Sequence, residues 1–365
     1  MAKTVSQALK EIPDPRKRQG RQYPLYGLLA VLVLAAMQGE RSLRRIWQWA
    51  SDREALLLMY PSLGFRAVKR IPGLATFWYT LSKLSGGELE RALQGLLGAE
   101  GELALDGKRL RGSRREAEAA LQVITQAGTN LRQVWEQKAV EGGDELGAAI
   151  ALLEEFPLEN KVIRADAGLL QAPFVQKVVK KKGGYIGLIK GNQPELRQAI
   201  VDWIGLPTAR PQDVVCCTKG HGRLERRLLW IWACGELSAY LAERFGWQGV
   251  QWCGWIERTR WRKGKEETSL DVWIAGAAFL WHLTAAQALA HLRRHWTIEN
   301  GVFHVRDVTF DEDRLTGRKI GLGLSGVRNV AINLLRQLGY PFIPDDQRAV
   351  AANPALAFAL LGIQD

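Results

Sequence analysis

The chain has 365 residues, with 50 Lys and Arg against 38 Asp and Glu, for a net charge of +12. Hydrophobic residues make up 47% and charged residues 24%, which excludes wholesale disorder, and the length allows two or three domains. The longest near-continuous apolar run, Leu25 to Met37, spans 13 residues, short of the roughly 18 that a membrane crossing needs. A buried helix is expected there instead, and no membrane partner. The opening MAKTVSQALKEIPD is too polar for a signal peptide. The four cysteines, Cys216, Cys217, Cys234 and Cys253, form no Cys-x-x-Cys pair. That argues against a disulfide scaffold or a four-cysteine zinc site and for a reducing cytoplasm.

In chain order, residues 1–95 read as helical. A basic cluster of Arg16, Lys17, Arg18 and Arg21 precedes the apolar helix 25–37, which stops at Gly39. Ser42 suits an N-cap, and the helix after it carries Leu43, Ile46, Trp47 and Ala50 on one face, with Arg44, Arg45 and Gln48 on the other. A third helix, 75–84, follows Pro72. Residues 1–50 hold nine Lys and Arg against three Asp and Glu, half of the net charge. Such a front end suits a polyanion such as nucleic acid, or simply a solvated basic surface.

The pattern changes near residue 102. Leu103-Ala-Leu105 reads as a short strand ending at the turn signal Asp106-Gly107. Residues 121–127 and 132–140 read as a hairpin around Gly128-Thr-Asn130. Then come a helix at 146–156, a strand at 162–165 ending at Asp166, a helix at 171–182, a strand at 185–189 and a helix to 204. Strands, then strand–helix alternation, imply an α/β fold: a mixed sheet with covering helices. Residues 213–280 are rich in β-formers, and 230–281 hold eight of the fourteen tryptophans. Their period-two spacing marks most of them as core, with at most one available to stack on a base. Helices are expected at 284–305 and 320–338.

Asp106 and Asp166 each follow a short apolar strand. Binding sites of open α/β sheets form beyond the carboxyl ends of strands, although an aspartate there also suits a turn cap. Glu299 adds to the pattern. On a regular helix it falls within about 60° of Leu292, Trp296, Val302 and Phe303, in the middle of an apolar face. A carboxylate there needs a cation, such as Arg306 or His295 on the same face, or a metal. Three such acids suit Mg²⁺, which prefers oxygen ligands, and two such ions can clamp an in-line phosphoryl transfer.

With these residues in place, the chain resembles the RNase H-like DDE transposases, and within them the bacterial insertion-sequence group called ISAs-one, which includes the H-repeat-associated proteins. The matching stretches are Ile12-Pro-Asp-Pro-Arg16, Leu105-Asp-Gly-Lys-Arg-Leu-Arg-Gly-Ser113, Ala165-Asp-Ala167, Leu188-Ile-Lys-Gly-Asn-Gln193, His221-Gly-Arg-Leu-Glu225 with Arg227, His295-Trp-Thr-Ile-Glu-Asn300, and Asp307-Val-Thr-Phe310 with Glu312-Asp313. They run in the family's order over roughly 10–338. The chain departs from it at Gly168-Leu169-Leu170, at Phe303-His304, and at Leu292, His295 and Arg306, where the superfamily often has Tyr, Arg and Lys.

The resemblance implies an RNase H-like mixed sheet with flanking helices, a β-rich insertion before the last catalytic helix, and an N-terminal all-helical domain. The implied boundaries are 1–98 for the helical DNA-binding domain, 99–212 and 283–340 for the catalytic core, 213–282 for the insertion and 341–365 for a C-terminal tail. It implies Asp106, Asp166 and Glu299 as catalytic, metal-binding acids for two Mg²⁺ ions (or Mn²⁺). It implies cleavage of double-stranded DNA at the element's inverted repeats and joining to target DNA by a homodimer. An inactive DNA-binding remnant and a hydrolysis-only nuclease are the alternatives. Expected DNA contacts are Arg16, Lys17, Arg18, Arg21, Lys108, Arg109, Arg111, Lys190, Asn192, His221, Arg223, Arg227, His295 and Arg306, with Arg114 and Arg115 beside them. Asn192 equally suits a helix cap. His291 and His295 have the i, i+4 spacing of a zinc pair but lack a third ligand at suitable spacing.

Overall fold

The computed structural model describes residues 3–98, 101–114, 119–205, 212–220, 223–315 and 317–363. The helices α1 (Val5–Lys10), α2 (Leu25–Met37), α3 (Leu43–Ser51), α4 (Glu54–Met59), α5 (Leu74–Leu81) and α6 (Glu88–Leu93) come first. The strands β1 (Glu102–Leu110), β2 (Leu121–Gly128) and β3 (Val134–Ala139) follow. The alternation α7 (Glu145–Glu155), β4 (Val162–Ala165), α8 (Ala172–Lys180), β5 (Gly184–Ile189), α9 (Pro194–Ile204) comes next. Then come β6 (Gln212–Gly220), β7 (Arg223–Ala233), α10 (Leu237–Phe245), β8 (Val250–Arg262), β9 (Lys265–Ala277), α11 (Ala285–Arg294) and α12 (Trp296–Ile298). Two π-helical turns, Glu299–Phe303 and Val305–Thr309, lead to α13 (Gly321–Leu335), α14 (Ile343–Ala352) and α15 (Ala355–Leu361).

These elements form two compact units. One comprises Met1–Ala99, Gly107–Glu145 and Ile298–Asp365; the other comprises Glu100–Asp106 and Leu146–Thr297. Strand β1 runs from the second into the first. It does not end at Asp106-Gly107 as expected, because Lys108 and Leu110 keep the alternation and are buried.

The first unit is built on α2. All thirteen of its residues are buried, as a helix apolar on every side must be. Gly27 lies against the next segment, where a Cβ would strike the Leu63 carbonyl oxygen. Thr4 and Gln7 form a capping box on α1, and the Ser42 hydroxyl caps α3 by accepting from Arg45 N at 3.3 Å. Trp49 rather than Trp47 completes the buried face of α3 with Leu43, Ile46 and Ala50. Residues 341–365, expected as a tail, include α14 and α15, whose Ile343, Val350, Phe358 and Leu361 join the same core. Strands β1, β2 and β3 lie in the order β3-β2-β1, with β2 and β3 antiparallel.

Asp346 in the first turn of α14 is fully buried, and burial pushes its carboxyl up to about 6. The fold favours its protonated form. That stabilisation is complete below the ordinary carboxylate range and is lost as pH rises through about 6. Asp346→Asn is therefore expected to raise the melting temperature at pH 8, by on the order of 1–2 kcal/mol of stability, and to change little at pH 4. Equal shifts at both pH values in parallel thermal melts would refute this.

The second unit is a mixed sheet with the order β1-β4-β5-β9-β8-β7-β6. Strands β1, β4 and β5 are parallel, β9 pairs antiparallel with β5, and β9 through β6 form an antiparallel meander. The tryptophan-rich segment thus extends the sheet beyond β5. Trp247 and Trp273 are buried core residues, and Trp273 Nε1 donates to the Trp230 carbonyl at 3.1 Å. Helix α11, capped by a Thr284–Gln287 box, covers one face of the meander through Ala285, Ala288 and Leu289 against Leu229, Ile231 and Ile256. The single α-helix expected over 284–305 is broken at His295 and widens into π-turns from Glu299.

Candidate active site and its charged supports

Register brings the two aspartates together. Leu105 pairs with Ala165 across parallel β1 and β4, so Asp106 and Asp166, one residue further on, lie side by side at a strand spacing of about 5 Å. Asp106 is half-buried and Asp166 exposed. The Asp166 Oδ1 accepts from Leu169 N at 3.0 Å, which fixes the carboxylate at the start of its loop. Gly168 keeps that loop open, since a Cβ there would sit 3.3 Å from Asp166 Oδ2.

The loop after β5 braces the loop after β4. Asn192 Nδ2 donates to the Ala167 carbonyl at 2.7 Å, and Gln193 Nε2 donates to the Leu170 carbonyl at 2.9 Å. Asn192 is therefore not a helix cap; it orients the Asp166 loop. Lys190, two residues earlier, is exposed.

Beneath the aspartates lies a charged group that sequence reading passed over. Arg164, two residues before Asp166, is buried; it bonds Glu102 on β1 and donates to His291 Nδ1 at 2.6 Å. Burial opposes the charge on Glu102, but Arg164 and Arg294, the latter at 2.8 and 2.9 Å, hold its carboxyl down to about 2. Burial and then Arg164 bring His291 down to about 4, so it is neutral near pH 7. Its Nδ1 is occupied, so the His291–His295 pair is not free to ligate zinc through that atom. The available signal was Arg164 itself, a charge inside the otherwise apolar run Val162-Ile-Arg-Ala165, which demands a buried partner.

His295 is half-buried. Burial lowers it to about 4, with Asp166 opposing and Arg164 and Lys190 assisting. Its Nδ1 has no hydrogen-bond partner among the described residues. The structure thus gathers Asp106, Asp166, Lys190, Asn192 and His295 within one unit. Among the described residues of that unit, no third His, Cys, Asp or Glu joins the aspartates as a metal ligand.

The first unit holds the other expected residues. Glu299 opens the first π-turn and is exposed, not centred on an apolar face. The wide turns advance by less than the 100° per residue of an α-helix, so the phase that placed it inward does not apply. Arg306 is fully buried: its Nε donates to Glu312 Oε2 at 2.9 Å and its Nη2 to Ser325 Oγ at 2.6 Å. Arg328 donates to the other Glu312 oxygen at 2.9 Å. Lys108 is buried beside Asp307 at 2.5 Å, with Asp313 at 3.7 Å and Glu312 at 3.9 Å. Lys108 and Arg306 are therefore committed inside the fold and do not face a ligand. Arg109 and Arg111 are exposed, with Arg111 3.5 Å from Asp313.

In the basic cluster near the N-terminus, Arg16 is likewise internal, bonding Asp14 at 2.7 and 2.9 Å and the Tyr23 carbonyl at 2.7 Å. Lys17, Arg18 and Arg21 remain exposed. In the meander, Arg227 is buried and bonds Glu225 and Thr218. His221, the Arg223 side chain and Arg115 lie outside the described residues.

Residues 6–97 match a family model described as DDE_Tnp_1-associated. Over 351 residues the chain is 26% identical to the Escherichia coli K12 protein YbfL, covering 91% of this chain and 90% of that one. It is 29% identical over 245 residues to the "H repeat-associated putative transposase YhhI" of the same strain, covering 64% of this chain and 63% of that one. It is 26% identical over 353 residues to YncI of Escherichia coli O157:H7, likewise named as a transposase, covering 89% and 85%. Among solved structures, the synaptic complex of piggyBac transposase with hairpin DNA matches at a TM-score of 0.43 and 10% identity, over 98% of this chain and 77% of that one, a likeness too low to carry an argument. Together these matches support a bacterial DDE-type transposase group.

Proposed function

We propose that the protein is a transposase that binds double-stranded DNA at the ends of its own element and performs two phosphoryl transfers there. In the first, water attacks phosphorus in line, the P–O3′ bond breaks and a 3′-hydroxyl is freed. In the second, that hydroxyl attacks a target phosphorus, forming a new phosphodiester and displacing the target's 3′-oxygen. The observation that carries the reading is the placing of Asp106 and Asp166 side by side, each one residue past the last parallel pair of β1 and β4, in a chain that matches transposase relatives. The order β3-β2-β1-β4-β5 supports an RNase H-like core.

Two adjacent carboxylates are the hard oxygen donors that Mg²⁺ requires; Asp106 and Asp166 would hold it. Bound there, the metal neutralises charge on the phosphate oxygens. The rest is positioning. Asn192 and Gln193 hold the Asp166 loop, and Gly168 leaves the carboxylate open to a phosphate. Lys190 places a cation near the scissile group, and exposed Lys17, Arg18 and Arg21 contact the backbone without reading sequence. Two ends must be joined, so the working form is a homodimer.

The test is incubation of purified protein with Mg²⁺ and pre-cut element ends beside a supercoiled target. Joined products are expected. Hydrolysis without joining would indicate a nuclease, and metal-independent binding without cleavage an inactive remnant.

A further inference from the structure

The sheet face covered by α11 changes character where that helix ends. Toward the β5 side it is apolar, with Leu229, Ile231 and Ile256 packed beneath α11. Further along the same strands, the alternation places Arg227 of β7 and Arg258 and Arg260 of β8 on that face, since Arg227 pairs with Arg258 and Glu225 with Arg260. Arg293 of α11 reaches the same spot, its Nη1 lying 3.4 Å from Cys216 Sγ on β6, beside Arg227. The Arg258 guanidinium lies 5.8 Å from the ring centroid of half-exposed Trp296.

Acids do not balance this group. Glu225 serves both Arg227 and Arg260, the latter at 3.3 Å outside hydrogen-bond geometry. Glu267 and Asp271 of β9 share the face through their pairing with Arg260 and Ile256, and exposed Arg262 adds another cation. The Nε atoms of Arg258 and Arg260 are buried and make no hydrogen bond among the described residues. Burial, then Arg260 and Arg227, lower the Arg258 guanidinium, and burial lowers Arg227 despite Glu225. Crowding guanidinium groups with idle donors opposes folding, and bidentate guanidinium forks suit phosphate oxygens.

We infer that Arg258, Arg260 and Arg293 form a phosphate-binding platform for the DNA backbone, with Arg227 held beside them by Glu225 and the Trp296 ring flanking Arg258. This rests on DNA being the partner, as proposed, but needs neither metal nor an element end. The platform contacts phosphates and carries no sequence information.

The experiment is fluorescence anisotropy of a labelled mixed-sequence DNA duplex over a potassium chloride series, without divalent metal. The variants are R258Q/R260Q and, as an equal loss of charge per site, exposed Arg244→Gln. The double variant is expected to bind about tenfold more weakly, with the log–log salt slope reduced by about one to two, while Arg244→Gln changes neither appreciably. Arg258→Gln is expected to melt at or above the wild-type temperature, because a cation leaves a crowded face; a purely structural arginine would give a lower one. Unchanged affinity and slope in the folded double variant would overturn the inference. So would stabilisation by inorganic phosphate alone, lost in that variant, without a change in duplex binding. Absence of cleavage by the wild-type protein would count against the transposase reading only, since the duplex assay requires no cleavage.

Discussion

Asp166→Asn is expected to slow metal-dependent strand cleavage at least about a thousandfold, roughly 4 kcal/mol of transition-state stabilisation. The asparagine oxygen can still accept from Leu169 N, so the loop held by that bond and by Asn192 keeps its shape. What disappears is the negative charge. Asp166 is exposed, so the melting temperature stays near that of the wild type and lost activity cannot be ascribed to unfolding. Asp106→Asn is expected to behave alike, because Asp106 lies beside Asp166, one residue past the Leu105–Ala165 pair. Single-turnover cleavage of labelled element ends measures the effect. A loss of less than about tenfold would remove the aspartate pair from the chemistry.

Glu312→Gln is expected to destabilise the first unit by about 3–5 kcal/mol. Glu312 is buried and is the shared acceptor for Arg306 and Arg328, with Lys108 3.9 Å away. Burial disfavours its charge, yet Arg306 and Arg328 hold its carboxyl below the ordinary range. Amidation would leave those cations without their common anion in a dry interior. Because the folded value is depressed, this stabilisation is present above the ordinary carboxylate range and fades as pH falls through the lower folded value. The variant's deficit should therefore be large at pH 7 and shrink in acid. Denaturant titrations at both pH values test this, and a pH-independent deficit would argue for packing alone.

Much of the framework was legible in local chemistry. The extent of α2 follows from an unbroken apolar run that stops before Gly39, and the start of α3 from Ser42. The end of β4 at Asp166, and the hairpin and alternation from 121 to 204, followed from strand-forming residues between turn signals. Asp166 follows the end of β4 as expected, whereas Asp106 lies within β1, whose alternation carries on through Lys108 and Leu110. What could not be read was pairing between residues distant in sequence. Arg164 meets Glu102 and His291, and Lys108 meets Asp307, partners that no local spacing relates. Charge alone therefore points Arg16, Lys108 and Arg306 toward DNA, whereas all three are internal. Glu299 was misjudged for another reason. A period of 3.6 assumes an α-helix, and nothing local announced the wide turns from Glu299 onward.

The core of the first unit draws on both α2 and the helices α13 to α15, so its earliest and latest segments complete each other. During synthesis at about 5–20 residues per second, α2 can be covered only by α1, α3 and α5, and the side that α13 to α15 cover waits while the second unit's strands are made. An apolar helix left in that condition is a natural substrate for chaperones and proteases. A chain that stops short of α15 therefore lacks part of the core that α2 needs.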